Sequence, residues 1–265
     1  MTSQGYTVVV AAFNEGRDLT VSLDRIMAEI AASTPSVPHE VIVVDDGSSD
    51  DTPALLEEYS ATRPGTLRVI RHAENAGLVA AMRTGCRAAV YETVVFLDAD
   101  LSYAPEIMTA LLEAKAASGA SVALASPYMD GGRTENVPAD RLAASRVANW
   151  ILSRCSGGRL STFTGMVRAY TTAALLELFE KPVVGEFNTW ALATLIASDL
   201  SVVEVPATLA WPPERRQGAR RLTLRQLSDR AWDVVVTAGY LWSACRHSKT
   251  LKTGTLVLTF EPSRP

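Results

Sequence analysis

Thr93–Leu97 (TVVFL) is a short apolar, β-branched run that leads without a break into Asp98-Ala99-Asp100. A run this brief and apolar at every position reads as a strand buried on both faces, ending in a polar loop. Two earlier stretches have the same form. Tyr6–Ala12 (YTVVVAA) stops at Asn14-Glu15-Gly16, and Glu40–Val44 (EVIVV) stops at Asp45–Asp51 (DDGSSDD). Leu67–Ile70 is a further short strand. Between them the pattern changes to helical spacing: Leu19, Leu23, Ile26, Met27 and Ile30 recur after Asp18 until Ser33–Pro38 breaks the run. Thr52 is placed to cap a second helix with Pro53 at its first position, and Leu78–Val90 reads as a third. Buried strands alternating with helices predict a mostly parallel α/β sheet covered on both faces. Ligands sit at the carboxyl ends of such strands, where all three polar clusters fall.

Beyond Asp100 the spacing predicts a helix at Pro105–Ser118, a strand at Ser121–Ala125 and a glycine-containing loop at Met129–Pro138. Residues 140–155, 171–180 and 188–198 read as helices, 161–170 as irregular or extended, and Val202–Pro206 as a strand. No repeat or linker interrupts the chain. The expected organisation is one catalytic domain over 1–225 with a short helical, amphipathic appendage at 226–265.

With 265 residues, 48% hydrophobic and 20% charged, the chain has the balance of a globular protein with a sizeable core. The net charge of −4 argues against a surface built throughout for nucleic acid. Glu214–Arg230 is a local exception, with six arginines and two acids, and leaves the remainder at −8. No aromatics interleave with these arginines. A mobile loop, which Gly218 suits, fits the segment better than a nucleic-acid surface. Cys86, Cys155 and Cys245 lack the spacing of a disulfide framework or metal site, and the start lacks a signal peptide's basic and apolar regions. A cytoplasmic protein is therefore expected, its cysteines in the core. Ala231–Cys245 is interrupted by Asp233 and too short to span a bilayer. With Trp211, Trp232, Tyr240 and Trp242 it suits either peripheral contact with the cytoplasmic membrane face or packing onto the domain. His39, His72 and His247 have no metal-ligand spacing and read as surface or structural residues.

Asp98 and Asp100, at i and i+2 after a strand, can hold a hard divalent cation that keeps positions open for phosphate oxygens. Two solvated turn acids are the alternative. At the second strand end Asp45 and Asp46 can accept from a base N–H or from ribose hydroxyls, while Phe13 offers an aromatic face and Glu15 another acceptor. Asp50 and Asp51 suit a helix N-terminus.

The ordered motifs VVVAAFNE (Val8–Glu15), VIVVDDGSSDDT (Val41–Thr52), NAGLVAAMRTG (Asn75–Gly85) and VVFLDADLSYAPE (Val94–Glu106) resemble the N-terminal half of family 2 glycosyltransferases. That resemblance implies a GT-A fold, a nucleotide-diphospho-sugar donor and Mg²⁺ or Mn²⁺. Within the family the chain is most similar to dolichol-phosphate mannose synthases and bacterial polyprenyl-phosphate enzymes. SPYMDGGRTENVPADRLAASRVAN (Ser126–Asn149), TGMVRAY (Thr164–Tyr170) and VVEVPATLAWPPERRQGARRL (Val202–Leu222) extend the likeness to about residues 6–225. It implies donor contacts from Ala11, Phe13 and Glu15, with Asp45 and Asp46 at the nucleoside. Asp98 and Asp100 hold the metal in this reading, Ala99 lies between them at the donor, and Arg215 meets the donor diphosphate. Arg141 and Ser145 meet the acceptor phosphate, and their spacing of four puts them on one helix face. Three positions depart from the family pattern: Ala11 replaces a proline, Ser102 a glutamine, and Pro127 an arginine that contacts phosphate.

The expected reaction is a metal-dependent, inverting displacement that moves a sugar from a GDP- or UDP-linked donor to a polyprenyl phosphate. A phosphate acceptor is already anionic, whereas a hydroxyl of a small molecule or glycan needs a general base. Glu186, Asp130 and Glu135 are the candidates for that base. A nucleotide-sugar-binding subunit without turnover is the alternative from another class. A nucleotidyltransferase is a further one, though its glycine- and lysine-rich first loop is missing.

Overall fold

The computed structural model describes residues 5–63, 65–158, 160–211 and 223–247, which form two compact units. Residues up to Thr109 together with Val167–Glu180 make the first unit, and Ala110–Met166 with the chain from Lys181 onward make the second.

In the first unit, β1 (Tyr6–Ala12), β2 (His39–Asp45), β3 (Leu67–Arg71) and β4 (Thr93–Asp98) pair in parallel in the order β3-β2-β1-β4. The antiparallel β7 (Arg168–Thr171) lies beside β4. Helices α1 (Gly16–Ser33), α2 (Thr52–Ala61), α3 (Leu78–Ala88) and α6 (Thr172–Phe179) belong to the same unit, and α4 (Glu106–Ser118) leads out of it. Val8, Val9 and Val10 are all 0% exposed, so both faces of β1 are covered, as their unbroken apolar run requires. On α1 the buried line is Leu19, Leu23, Ile26 and Ile30, the helical spacing read from the sequence. Gly85 lets α3 lie flat on the sheet, because a Cβ there would stand 2.4 Å from Val9 Cγ1.

The second unit contains the parallel pairs β5 (Val122–Ser126) with β8 (Val202–Pro206) and β6 (Arg133–Glu135) with β9 (Thr208–Ala210). Its helices include α5 (Ala139–Cys155), α7 (Phe187–Ala197) and α8 (Leu224–His247), and α8 packs on both of the others. The stretch read as a loop at 129–138 thus contains β6, whose polar residues carry no strand pattern and are ordered by pairing with β9. Helix α8 starts at Leu224, close to the expected boundary, and is part of this unit. Cys86 is buried, and burial pushes its thiol up to about 12. Cys155 is only half-buried, so its place is the end of a helix rather than the core; the Cys245 side chain lies outside the described residues.

One carboxylate holds the loops at the strand ends together. Asp46 is 3% exposed, and its Oδ1 accepts from His72 Nδ1 at 2.6 Å and from Ala76 N at 3.0 Å, while Oδ2 accepts from Gly77 N at 2.7 Å. His72 is fixed from its other side by Thr84 Oγ1 at 2.9 Å, which makes it structural, as its sequence context suggests. The turn that delivers Asp46 needs Gly47 at φ 73°, where a Cβ would lie 2.4 Å from the Glu74 carbonyl carbon. Burial alone would raise the Asp46 pKa, but the His72, Ala76 and Gly77 hydrogen bonds together outweigh it and hold the carboxyl below its ordinary value.

Gly47→Ala is therefore expected to destabilise the protein by about 3 kcal/mol in urea denaturation, from a left-handed non-glycine residue pressed against a backbone. Asp46→Asn is expected to cost about 1–3 kcal/mol at neutral pH by weakening a buried acceptor that serves three donors. A depressed carboxylate contributes stability above its unfolded pKa and loses it as pH falls through the folded one. The gap between the wild type and Asp46→Asn should accordingly shrink on acidification, read from urea midpoints across that range.

Candidate active site

The parallel register sets Ala11 opposite both Val44 and Asp98, and Ala12 opposite Asp45. Neighbouring strands lie about 4.8 Å apart, so Ala11, Asp45 and Asp98 meet at one edge of the first unit. Phe13 follows directly and is 43% exposed, an aromatic face in solvent beside that edge.

The loops after β1 and β2 are tied to each other. Asn14, at φ 55°, accepts at Oδ1 from Ser49 N at 2.9 Å and Asp50 N at 3.3 Å, and its own N–H donates to Ser48 Oγ at 2.9 Å. Thr52 Oγ1 accepts from Glu15 N at 3.0 Å and Gly16 N at 2.8 Å. This corrects the capping expectation: Asp51 occupies the N-cap of α2 without a side-chain cap bond, and the Thr52 hydroxyl instead serves the start of α1. Glu15, the N-cap residue of α1, is half-buried at this junction.

Asp45 and Asp46 differ in what they leave available. Asp46 has both oxygens engaged within the fold, which makes it a positioning group for the loop 72–77 where a nucleoside contact was expected. Asp45 is 0% exposed, with Oδ1 accepting from Ser48 N at 2.9 Å. Its Oδ2 has no well-aligned hydrogen bond and faces Arg71 Nε at 3.2 Å. Arg71 also donates to Ser48 O at 3.2 Å and is half in solvent. Asp45 and Arg71 line a cavity of about 540 Å³ with Pro53, Glu57 and Val69, a volume in the range of small-molecule sites.

At the end of β4, Asp98 O accepts from Leu101 N at 3.1 Å, and Leu101 turns at φ 47°. Ala99, between the carboxylates, is 8% exposed. Asp100 Oδ1 accepts from Ser102 N at 3.0 Å and Ser102 Oγ at 2.8 Å, so Ser102 orients this carboxylate. Among the described residues no cluster of three or more His, Cys, Asp or Glu is gathered for a metal. Two hard carboxylate donors without nitrogen or sulfur fit Mg²⁺ or Mn²⁺, ions that fill their other positions with phosphate oxygens and water.

The second unit holds a separate polar cluster. Arg141 and Ser145 stand on the inward side of α5, followed one turn later by Asn149, 2% exposed. Asn149 Nδ2 donates to Ser145 O at 2.8 Å and Thr164 Oγ1 at 3.1 Å, while its Oδ1 accepts from Phe163 N. Tyr128 OH donates to Ser145 Oγ at 2.9 Å. Beneath this cluster, buried Glu204 accepts from Ser161 N and Thr162 N, both at 2.8 Å, and burial raises its pKa against those bonds. The Arg141 guanidinium lies 5.3 Å from the centre of the Trp211 ring. Arg141 Nε and Trp211 Nε1 are buried donors without a hydrogen-bond partner among the described residues. Arg215 and the other arginines of 212–222 lie outside the described residues.

The three candidate bases are otherwise occupied or open to solvent. Glu186 caps α7, accepting from Asn188 N at 3.1 Å and Thr189 N at 2.9 Å, and Asp130 and Glu135 are exposed. Sequence reading missed Asn149, Tyr128, Thr164 and Arg71. Asn149 had a signal, the polar recurrence 141, 145, 149 on an otherwise mixed helix; the other three are brought in only by tertiary packing.

A model of "Glycosyl transferase family 2" matches residues 7–179. Polyprenol monophosphomannose synthase of Mycolicibacterium smegmatis is 32% identical, over 83% of this chain and 82% of its own length. An undecaprenyl-phosphate 4-deoxy-4-formamido-L-arabinose transferase of Pectobacterium carotovorum is 31% identical over 71% of the chain, which spans 57% of that enzyme. Dolichol-phosphate mannosyltransferase of Pyrococcus furiosus is 32% identical over 54% of the chain, which spans 38% of it. Among solved structures, glucosyl-3-phosphoglycerate synthase from Mycobacterium tuberculosis, held with Mn²⁺, UDP and phosphoglyceric acid, aligns over 92% of this chain and 79% of its own at TM-score 0.61 and 18% identity. A mannosyltransferase from Pyrobaculum calidifontis with GDP-Man and Mn²⁺ aligns over 92% and 76% at TM-score 0.57 and 20% identity. The fold is thus the GT-A fold that the motifs imply, and the chain belongs to glycosyl transferase family 2 and is a glycosyltransferase.

Proposed function

We propose that this glycosyltransferase moves a sugar from a GDP- or UDP-linked donor to a polyprenyl phosphate, with inversion at the anomeric carbon. The carrying observation is the buried Arg141 Nε, a cationic donor without a hydrogen-bond partner among the described residues, one helical turn from Ser145, whose hydroxyl meets those of Tyr128 and Thr164. A tetrahedral dianion suits such a set, since a guanidinium supplies charge and hydroxyls supply further hydrogen bonds. Tyr128 and Thr164 make good the contact that Pro127 cannot provide. The names of the relatives point the same way, each carrying a polyprenol, undecaprenyl or dolichol acceptor.

On the donor side, the 540 Å³ cavity at Asp45 and Arg71 receives the nucleoside, and Phe13 offers a stacking face. Glu15 and the edge at Ala11 and Ala99 border the ribose and diphosphate. Asp98 and Asp100 would hold Mg²⁺ or Mn²⁺, which when bound stabilises charge on the departing nucleoside diphosphate. Arg215 is assigned to the same diphosphate from its place in the motif. The acceptor oxygen, already anionic, attacks the anomeric carbon as the sugar's bond to the diphosphate breaks. No proton has to be removed from it, which agrees with three candidate bases that cap a helix or face solvent.

Asp100→Asn is expected to lower transfer about 100-fold with an unchanged circular dichroism spectrum; near-normal turnover removes the metal role. Arg141→Ala is expected to raise KM for polyprenyl phosphate about 10- to 100-fold while leaving the donor KM in place. Equal effects on both substrates count against the acceptor assignment. Assays with UDP- and GDP-linked sugars, with and without polyprenyl phosphate, test the reaction itself by lipid-linked product.

A further inference from the structure

Trp211 follows β9 directly, and strand pairing sets its place. Its backbone N–H donates to Glu135 O at 2.9 Å, which extends the ladder that joins β9 to β6. The ribbon starts close to Tyr128, where Gly132 N donates to Met129 O at 3.0 Å. A Cβ at Gly132 would stand 2.4 Å from Ser126 O, so a side chain there would collide with the backbone as the chain turns back. Arg133, Thr134 and Glu135 in β6 bury little of their own, and their pairing with β9 fixes the residue that follows it against α5.

There the Trp211 ring meets the Arg141 guanidinium, whose carbon lies 5.3 Å from the ring centre. Both residues are half-buried as a whole, yet Arg141 Nε and Trp211 Nε1 are each covered from solvent and have no hydrogen-bond partner among the described residues. Covering one N–H without an acceptor is unfavourable, and here two such groups stand on adjoining side chains. A guanidinium N–H and an indole N–H are donors only. The ligand that suits the pair brings acceptor oxygens and negative charge, as an ionised phosphate does. A hydroxyl also brings a proton, for which neither group is an acceptor. With N–H···O bonds of about 2.9 Å from each nitrogen, the oxygens of one phosphate can serve both side chains.

We propose that Trp211 is a binding residue for the acceptor's phosphate: its Nε1–H and the Arg141 Nε–H donate to oxygens of the same group, and the ring steadies the guanidinium by a cation–π contact. This rests on the reading of Arg141 as an acceptor-phosphate residue and adds a selection between acceptors. Two donors without an acceptor favour an ionised lipid phosphate over the corresponding alcohol.

The test is a proton–nitrogen correlation spectrum of the isotope-labelled full chain, titrated with farnesyl phosphate or with farnesol. The Trp211 indole signal is identified by its loss in Trp211→Phe, which keeps an aromatic ring beside Arg141 but has no N–H. That signal should move downfield with farnesyl phosphate and stay in place with farnesol. Trp211→Phe should bind farnesyl phosphate about tenfold more weakly and raise KM for polyprenyl phosphate by a similar factor, with the donor KM unchanged. The remaining tryptophan signals should keep their positions in the variant, which shows that it folds. An indole signal that stays in place while farnesyl phosphate binds overturns the proposal, as does a Trp211→Phe variant that binds as tightly as wild type; either leaves the role of Arg141 standing. A shift of equal size with farnesol also overturns it, because the ring would then be meeting the prenyl chain. Farnesyl phosphate binding that Arg141→Ala leaves untouched contradicts the acceptor reading itself, and this proposal with it.

Discussion

The edge where Ala11, Asp45 and Asp98 gather depends on one ionised carboxylate inside the protein. Asp46 ends β2 and draws in the backbone N–H groups of Ala76 and Gly77 together with the His72 ring, so that the loop before α3 closes against the loop after β2. Three donors converging on one carboxylate are worth more than one and keep it charged despite its burial. With that loop fixed, Gly47 can make its tight turn and Asp45 is presented toward the α2 side of the sheet. The parallel register then sets Ala11 and Asp98 in line with it.

In the proposed reaction the two units would handle phosphate in different ways. The strand edge of the first unit is acidic, with Asp45 at the end of β2 and Asp98 and Asp100 at the end of β4, on either side of β1, and such an edge repels a diphosphate unless a cation stands between them. The polar cluster of the second unit, with Arg141 and the hydroxyls of Tyr128, Ser145 and Thr164, would need no such mediator in the proposed reading, because Arg141 brings its own positive charge. On that proposal, a donor that must leave with a negative charge and an acceptor that arrives with one would meet opposite electrostatic treatments.

Much of this was legible in the residues. Apolar runs ended by polar clusters located β1, β2 and β4 to within a residue, because strands covered on both faces have nowhere to place a polar side chain. Strand β6 was hidden, since Arg133-Thr134-Glu135 has no apolar pattern and owes its order to a partner some 75 residues away in the chain. At the site, the residue types at the strand ends were readable but their division of labour was not. Adjacent aspartates look equivalent in a sequence, and only the positions of His72, Ala76, Gly77 and Ser48 separate the structural Asp46 from Asp45. The Thr52 hydroxyl likewise fits a cap by local rules, but two N–H groups from a distant loop claim it first.

The path of the chain has a consequence for how such enzymes diversify. After building the second unit's α5 and its polar cluster, the chain returns to the first unit for Val167–Glu180 and supplies β7 and α6 there before leaving again. The sheet of the first unit therefore incorporates a strand whose sequence neighbour, the Phe163–Thr164 segment, belongs to the polar cluster of the second unit. A recombination event with a single crossover cannot exchange the second unit for another without also replacing part of the first unit's sheet. With the acceptor read by the inward line of α5, as proposed, new acceptors would be reached more readily by point changes there than by shuffling whole modules.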